Sequence, residues 1–206
     1  IMKITISLLT FFFFASAVFA NPPTQKRILV YTKNGKGFVH TNIASSVEAI
    51  KKIGQLNNLI VDISDDPSVM SSENLAKYNC LIFSNTNNEI FETEEQRQAF
   101  VNYIQSGGAF VGIHIASGSE RNWPWFHAMI GGLFKRHPAF QPFEIKVIDK
   151  NHPATVMLPD IWKKEDECYF MTELNPNSQV LLAADLRTVI DTEKQIYPAR
   201  VFGDYF

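Results

Sequence analysis

Polar and ionisable side chains follow several short apolar runs of this sequence, at the point where each run ends. They are His40 after the first run, Asn85 and Thr86 after the third, and His114 with Ser117 after the fourth. If the runs are parallel strands, these side chains meet at the carboxyl edge of one sheet, where open α/β folds place their ligand crevices. Imidazoles exchange protons near neutral pH, while amides and hydroxyls both donate and accept hydrogen bonds. The pattern therefore predicts a crevice for a polyhydroxylated small molecule.

His114 is the candidate on which this prediction depends most. It ends the apolar run 109–113, and the small residues at 116–119 indicate a sharp turn before a helix that starts at Trp123-Pro124. We expect its imidazole to stand in the crevice as a catalytic acid or base. The alternative is a core histidine whose ring bonds to the backbone. His40 fits a second catalytic histidine and a helix-entry residue equally well.

Two further residues are candidates for the same chemistry. His137 is followed by Pro138, which fixes the backbone around the imidazole and suits either a site residue or a plain turn. Glu167 belongs to the acidic segment 165–167, for which a solvated loop is the simple explanation. The sharper interpretation, which we adopt, pairs the Glu167 carboxylate with one of the crevice histidines.

Four residues are predicted to hold the substrate rather than to react with it: Asn85, Thr86, Ser117 and Trp123. Trp123 offers an apolar ring face to a sugar, although packing is the default role of a tryptophan at a helix start. Asn85 and Thr86 suit turn formation as well as binding of substrate hydroxyls. The histidines and the two cysteines show no metal-binding spacing, so we expect no metal and no other cofactor.

The elements that must position these residues alternate along the chain. Strands are predicted at 27–32, 59–63, 80–83 and 109–113, and helices at 43–54, near 73–75 and from a capping box at Thr93 to Gly107. This alternation indicates right-handed βαβ units. We predict an α/β fold, a three-layer sandwich with a mostly parallel, flavodoxin-like sheet. After Gly132 the pattern loosens, with a half-exposed strand at 143–148 and a buried segment at 179–184.

Residues 1–20 have the form of a secretory signal peptide, with Lys3, an apolar run at 4–19 and a small-residue cleavage site. The run is shorter than the roughly 20 residues that a membrane-spanning helix needs. We therefore expect a secreted or periplasmic protein with no stable membrane insertion once the peptide is removed. A formal net charge of −2 without a basic stripe argues against a nucleic-acid partner. Residues 24–206 are predicted to form one domain that lacks its C-terminal part.

Seven segments, taken in order, resemble the ThuA-like (trehalose utilisation) family. They lie at 37–40, 83–86, 107–114, 123–125 and 134–138, then at 152–155 with Leu158-Pro159, and at Asp166-Glu167 with Tyr169. Each motif alone is weak, but their shared order makes the match specific. The resemblance implies a class I glutamine amidotransferase-like fold and a role in bacterial carbohydrate metabolism, on trehalose-like or oxidised (keto) sugars.

The resemblance also implies which residue His114 replaces. His114 takes the position where glutamine amidotransferases carry a catalytic cysteine, so a thioester route and glutaminase activity are not expected. The chain departs from the family pattern at Gly118, where an acidic residue is usual, although Glu120 is close enough in sequence to compensate. A later histidine segment of the family would lie beyond Phe206.

We therefore expect an exported sugar-active protein, a hydrolase or isomerase if it is an enzyme. His114 and Glu167 would perform acid–base steps on a disaccharide or keto sugar, with His40 and His137 assisting. The first alternative is a non-catalytic carbohydrate-binding module. The second is a metal-dependent hydrolase that uses His40, His114 and a carboxylate as ligands. The expected partner is a small-molecule carbohydrate, and the sequence leaves the oligomeric state open.

Overall fold

Four parallel strands form the main sheet of the computed structural model, which describes residues 25–193. The strands are β1 (Arg27–Tyr31), β2 (Ile60–Ser64), β3 (Cys80–Ser84) and β4 (Ala109–Ile113), and their spatial order is β2-β1-β3-β4. Pairing of Phe83 with Gly112 and of Ser84 with Ile113 aligns the ends of β3 and β4. The residues that follow these two strands are therefore brought to one edge of the sheet.

Helices cover both faces of the main sheet, which confirms the predicted α/β architecture. They are α1 (Ile43–Leu56), α2 (Ser72–Leu75), α3 (Glu94–Gln105) and α4 (Pro124–Ile130). Because side chains alternate along a strand, β1 serves two cores. Ile28 and Val30 pack with α1, while Leu29 and Tyr31 join the larger core that contains residues of α2, α3 and α4.

Local signals start and stop the longest helix of the larger core. The Thr93 hydroxyl accepts a hydrogen bond from the Gln96 backbone N–H, and the Gln96 side chain accepts one from the Thr93 N–H. This is the predicted capping box. Beyond the end of α3, Gly107 adopts a φ of +93°, a conformation that suits glycine. The helix then returns the chain to β4 and so to His114.

A smaller antiparallel region follows α4. In it β5 (Leu133–Arg136) pairs with β8 (Phe170–Thr172), and β6 (Gln141–Val147) lies between β7 (Ile161–Asp166) and β9 (Leu182–Ala184). The sequence predicted β6 and a buried segment that includes β9, but not β5, β7 or β8. In β7, exposed and half-buried side chains alternate. Strands of this kind have no apolar run to mark them, and β7 carries the chain to Glu167.

No helix among residues 25–193 combines the length and the apolar character needed to cross a lipid bilayer. The predicted signal peptide, residues 1–20, lies outside the described residues. Cys80 and Cys168 are both free thiols.

Glu120 is a buried carboxylate that fixes the connection between β3 and α3. Its side chain is 3% exposed, and Oε1 accepts hydrogen bonds from the backbone N–H groups of Ile90 (2.8 Å) and Phe91 (3.1 Å). Oε2 accepts one from Arg97 Nε at 2.8 Å. The sequence suggested that Glu120 compensates for Gly118 beside His114, and this was wrong. The carboxylate is already saturated by backbone and guanidinium donors.

Replacement of Glu120 by glutamine should destabilise the protein strongly. Glu120→Gln keeps the side-chain shape but removes the negative charge and turns an amide N–H₂ towards either Arg97 or the two backbone donors. We expect a loss of about 2–4 kcal/mol in the free energy of unfolding, measured by urea denaturation at pH 7. Glu94→Gln is the matched control, because Glu94 pairs with the same Arg97 at 3.6 Å from an exposed position. It should cost under about 0.5 kcal/mol, and equal losses in the two variants would contradict this role of Glu120.

Candidate active site

His114 stands where β4 ends, on a backbone turned into the left-handed region. Its φ is +56°, and the segment His114–Gly118 continues as a 3₁₀ turn. Asn85 follows β3 with a φ of +54°, and its N–H donates to the carbonyl of Ile113 at 3.3 Å. The two strands thus end in matching turns. A left-handed residue other than glycine costs roughly 1–2 kcal/mol, and such strain is characteristic of functional sites.

Three side chains surround the His114 imidazole. The Tyr169 hydroxyl lies 2.8 Å from Nε2, and the two rings are stacked with centroids 4.7 Å apart. Glu167 Oε2 is 3.5 Å from the same nitrogen. The His40 ring meets the His114 ring edge to face, with centroids 4.6 Å apart. We call His40, His114, Glu167 and Tyr169, together with His137, the histidine cluster.

His137 completes the cluster on the far side of Glu167. Its Nδ1 is 2.7 Å from the carbonyl oxygen of Pro138. A carbonyl only accepts, so we assign a proton to Nδ1. The other ring nitrogen, Nε2, is 3.6 Å from Glu167 Oε1. Each carboxylate oxygen of Glu167 therefore faces one imidazole nitrogen.

Burial is the main influence on the protonation of His40 and His114, and it lowers the pKa of both. The neighbouring imidazole of His137 lowers the pKa of His40 further, and that of His40 lowers the pKa of His114 further. Glu167 opposes both shifts with its negative charge. Burial and the Glu167 charge raise the pKa of Tyr169. At neutral pH, His40 and His114 are therefore neutral, and the Tyr169 hydroxyl keeps its proton and donates it to His114 Nε2.

Two polar atoms of the cluster are buried without a hydrogen-bond partner in the described part of the chain. They are Nδ1 of His40 and Oε2 of Glu167. A buried polar atom without a partner costs about 1–3 kcal/mol, and native proteins keep few of them. Both atoms belong to the same small group of side chains, so this group has free hydrogen-bonding capacity for a ligand or a water molecule.

Three members of the cluster, His40, His114 and Glu167, form one wall of an open cleft of about 520 Å³. Phe38 and Phe140 stand at its rim with 69% and 62% of their surface exposed. Thr41, Asn42, Lys164 and Asp166 supply the remaining polar lining, and Lys164 and Asp166 form an ion pair. Exposed aromatic faces beside hydroxyl, amide and charged groups suit a ligand with both apolar and hydroxylated surfaces.

The structure brings four predicted site residues together and separates four others from them. His40, His114, His137 and Glu167 all lie in the histidine cluster. Asn85, Thr86, Ser117 and Trp123 do not line the cleft.

Packing accounts for each of the four exceptions. Asn85 and Thr86 are fully buried, and the Thr86 hydroxyl is bonded to that of Ser119 at 2.9 Å. Ser117 donates to the carbonyl of His114 at 3.4 Å. Trp123 packs against the larger core, where Arg97 lies over its ring.

No site role was predicted from the sequence for five residues that lie in the cluster or line the cleft: Tyr169, Phe38, Phe140, Lys164 and Asp166. Tyr169 stands two positions after Glu167 and Phe38 two positions before His40, so in an extended segment each shares a face with its histidine-cluster neighbour. That spacing was the available signal for these two. Phe140, Lys164 and Asp166 lie in or beside the antiparallel region, whose strands carry no comparable mark.

The sequence profile of the ThuA family, described as trehalose utilisation, matches residues 27–204. The chain belongs to the ThuA family. A ThuA-like protein from Bacteroides uniformis is 30% identical, with a TM-score of 0.69 over 82% of this chain and 72% of that one. A ThuA-like protein from Parabacteroides merdae is 20% identical, with a TM-score of 0.57 over 78% and 68%. A glutamine amidotransferase from Thermotoga maritima is 13% identical, with a TM-score of 0.45 over 77% and 66%. No curated protein matches the chain.

Membership of the ThuA family confirms the resemblance expected from the seven ordered segments. The neighbouring ThuA-like structures agree with the α/β fold class and its mostly parallel main sheet. For this ThuA chain, the family match extends over β1 to β9 and includes every member of the histidine cluster.

The strain at the end of β4 can be measured by comparing two substitutions at one position. His114→Gly and His114→Ala both remove the imidazole, but only glycine adopts a φ of +56° without strain. We expect the free energy of unfolding of His114→Gly to exceed that of His114→Ala by about 1 kcal/mol, as measured by urea denaturation monitored by circular dichroism. At Ile113, where φ is −110°, the order should be reversed, with alanine the more stable. The same order at both positions would contradict a left-handed His114.

Proposed function

We propose that this ThuA family protein is an exported enzyme that acts on a disaccharide or an oxidised (keto) sugar by histidine and glutamate acid–base chemistry. The observation that carries the proposal is the contact of neutral His114 with both Glu167 and Tyr169 on the wall of an open cleft. The family's association with trehalose utilisation supports a carbohydrate as the substrate. Export rests on the signal-peptide pattern of residues 1–20.

The cluster has the parts that a proton transfer needs. His114 is neutral, so Nε2 accepts a proton once the Tyr169 hydroxyl turns away from it, and the carboxylate of Glu167 stabilises the imidazolium that forms 3.5 Å away. A keto group acidifies the neighbouring C–H bonds of a sugar, and a neutral imidazole has a free lone pair to remove such a proton. Burial and the Glu167 charge raise the pKa of Tyr169, so its hydroxyl acts as a hydrogen-bond donor and not as a second base.

The rim of the cleft supplies binding rather than chemistry. Phe38 and Phe140 offer exposed ring faces on which the apolar face of a pyranose packs. Thr41 and Asn42 precede α1 and present a hydroxyl and an amide to the cleft. Groups that both donate and accept hydrogen bonds match the hydroxyls of a sugar.

Glutaminase activity does not belong to the proposal. A thioester route needs a reactive thiolate at the active site, and the residue that ends β4 is a histidine. Cys80 begins β3, at the opposite edge of the sheet. Cys168 is buried, and burial raises the pKa of its thiol to about 11. Neither thiol lines the cleft.

Removal of the proposed base should abolish turnover without abolishing folding. We expect His114→Ala and Glu167→Gln each to lower kcat by at least about 100-fold on trehalose or on a keto-oxidised disaccharide, because positioned acid–base groups contribute about 10²–10⁴-fold. Product formation is followed by mass spectrometry. His152→Ala and Glu165→Gln are matched controls outside the cleft, and both should keep their activity. Unchanged turnover in His114→Ala would refute the acid–base role.

The rim aromatics should affect substrate affinity and leave the chemistry almost unchanged. We expect Phe38→Ala and Phe140→Ala each to raise KM by about 3- to 10-fold, as the loss of one ring contact predicts, with kcat altered less than about 2-fold. Steady-state kinetics on the same sugars measure both constants. A fall in kcat with KM unchanged would contradict a binding role. Saturable sugar binding that survives His114→Ala, with no product from the wild-type protein, would instead identify a carbohydrate-binding module.

A further inference from the structure

Three members of the histidine cluster hold their ligand-type atoms close together. One nitrogen each of His40 and His114 and one oxygen of Glu167 all lie within 4.8 Å of one another. Bonds of about 2.0–2.2 Å to a single ion place neighbouring ligand atoms roughly 3–3.6 Å apart. His114 Nε2 and Glu167 Oε2 are already at that separation, 3.5 Å. Closing the remaining separations needs side-chain shifts of about 1 Å.

The two unpartnered buried atoms belong to this same triad. His40 Nδ1 and Glu167 Oε2 have no hydrogen-bond partner among the described residues. A cation between the imidazoles and the carboxylate would bind a lone pair of each imidazole and offset the partly buried negative charge of Glu167.

We propose that His40, His114 and Glu167 bind one divalent transition-metal ion of the zinc class. Two imidazole nitrogens and one carboxylate oxygen suit borderline ions such as Zn²⁺, whereas Mg²⁺ and Ca²⁺ prefer all-oxygen sites. The proposal replaces the expectation that no metal is bound and takes up the second alternative offered by the sequence, in which His40, His114 and a carboxylate are metal ligands. It deepens the proposed function, because it concerns the same side chains, but binding of the ion requires no sugar.

The surroundings of the triad fit such an ion. Metal ligation needs neutral imidazoles, and burial favours the neutral form of both histidines by lowering the pKa of each. His137 lies behind the carboxylate ligand, with Nε2 at 3.6 Å from Glu167 Oε1. The Tyr169 hydroxyl, which lies 2.8 Å from His114 Nε2, would turn away from this nitrogen for the ion to bind.

The number of protein ligands, three, is typical of catalytic zinc sites and not of structural ones. Structural zinc sites have four protein ligands, while catalytic ones have three and keep an open position. Here the open side of the triad faces the cleft of about 520 Å³ between Phe38 and Phe140. A keto or hydroxyl oxygen of a sugar, or water, can occupy that position.

Metal titration of the chelator-treated protein tests the proposal without any sugar. Zn²⁺ is added to the full chain, and calorimetry gives the stoichiometry and Kd, while Co²⁺ substitution reports the coordination number from the visible spectrum. We expect one site per chain. His40→Ala, His114→Ala and Glu167→Gln should each weaken Zn²⁺ binding by at least 100-fold, since even outer partners of a metal site are worth about 10–100-fold. His152→Ala and Glu165→Gln should bind as the wild type does.

Thermal unfolding provides a second readout that shows whether each variant folds. Zn²⁺ at about 100 times its Kd should raise the Tm of the wild-type protein by roughly 5–10 °C, and this rise should be lost in the three ligand variants. The proposal is overturned if no Zn²⁺ binds, or if binding is as tight in Glu167→Gln as in Glu165→Gln. If the metal-free protein turns over sugar and His114→Ala abolishes this turnover, the chemistry needs no metal and the proposed function stands without it. If the protein binds Zn²⁺ at the triad but converts no sugar, the metal site stands and the proposed function is refuted.

Discussion

The site depends on a single backbone constraint, the left-handed turn that ends β4 at His114. An extended residue there would continue the strand and carry the imidazole away from the sheet edge. With a φ of +56°, the chain bends at once into the 3₁₀ turn, and the ring lies against His40 and Tyr169. The cost of roughly 1–2 kcal/mol is offset by the burial of Ile115 and Ala116 directly after the turn.

The parallel sheet alone would provide only two histidines. His40 and His114 come from the carboxyl edge of the sheet, but the carboxylate, the phenol and the third imidazole come from the antiparallel region. Glu167 and Tyr169 lie in the link between β7 and β8, and His137 follows β5, the strand that pairs with β8. Pairing of β5 with β8 therefore positions His137 relative to Tyr169, whose rings are stacked 5.7 Å apart. The histidine cluster therefore forms where the main parallel sheet meets the antiparallel region.

Sequence patterns predicted the parts of this fold whose burial is regular. The four parallel strands, the capping box of α3 and four of the five members of the histidine cluster were all accessible from apolar runs and from residue types. Asn85 and Thr86 were misplaced for a physical reason: polar groups at a strand end serve the backbone turn as readily as a ligand, and here they are fully buried. In β7 only half of the side chains face the protein, so no periodicity revealed the strand that brings Asp166 and Lys164 to the cleft.

The electrostatics of the cluster connect the acid–base and the metal interpretations. Two neutral imidazoles and one carboxylate leave a negative charge in a half-buried site, and a proton or a divalent cation can compensate it. A proton shared with His114 makes Glu167 the partner of an imidazolium. A cation bound to His114 Nε2 and Glu167 Oε2 would take both groups out of proton transfer. Occupancy of the triad by a proton or by a cation thus decides whether His114 can act as the base proposed above.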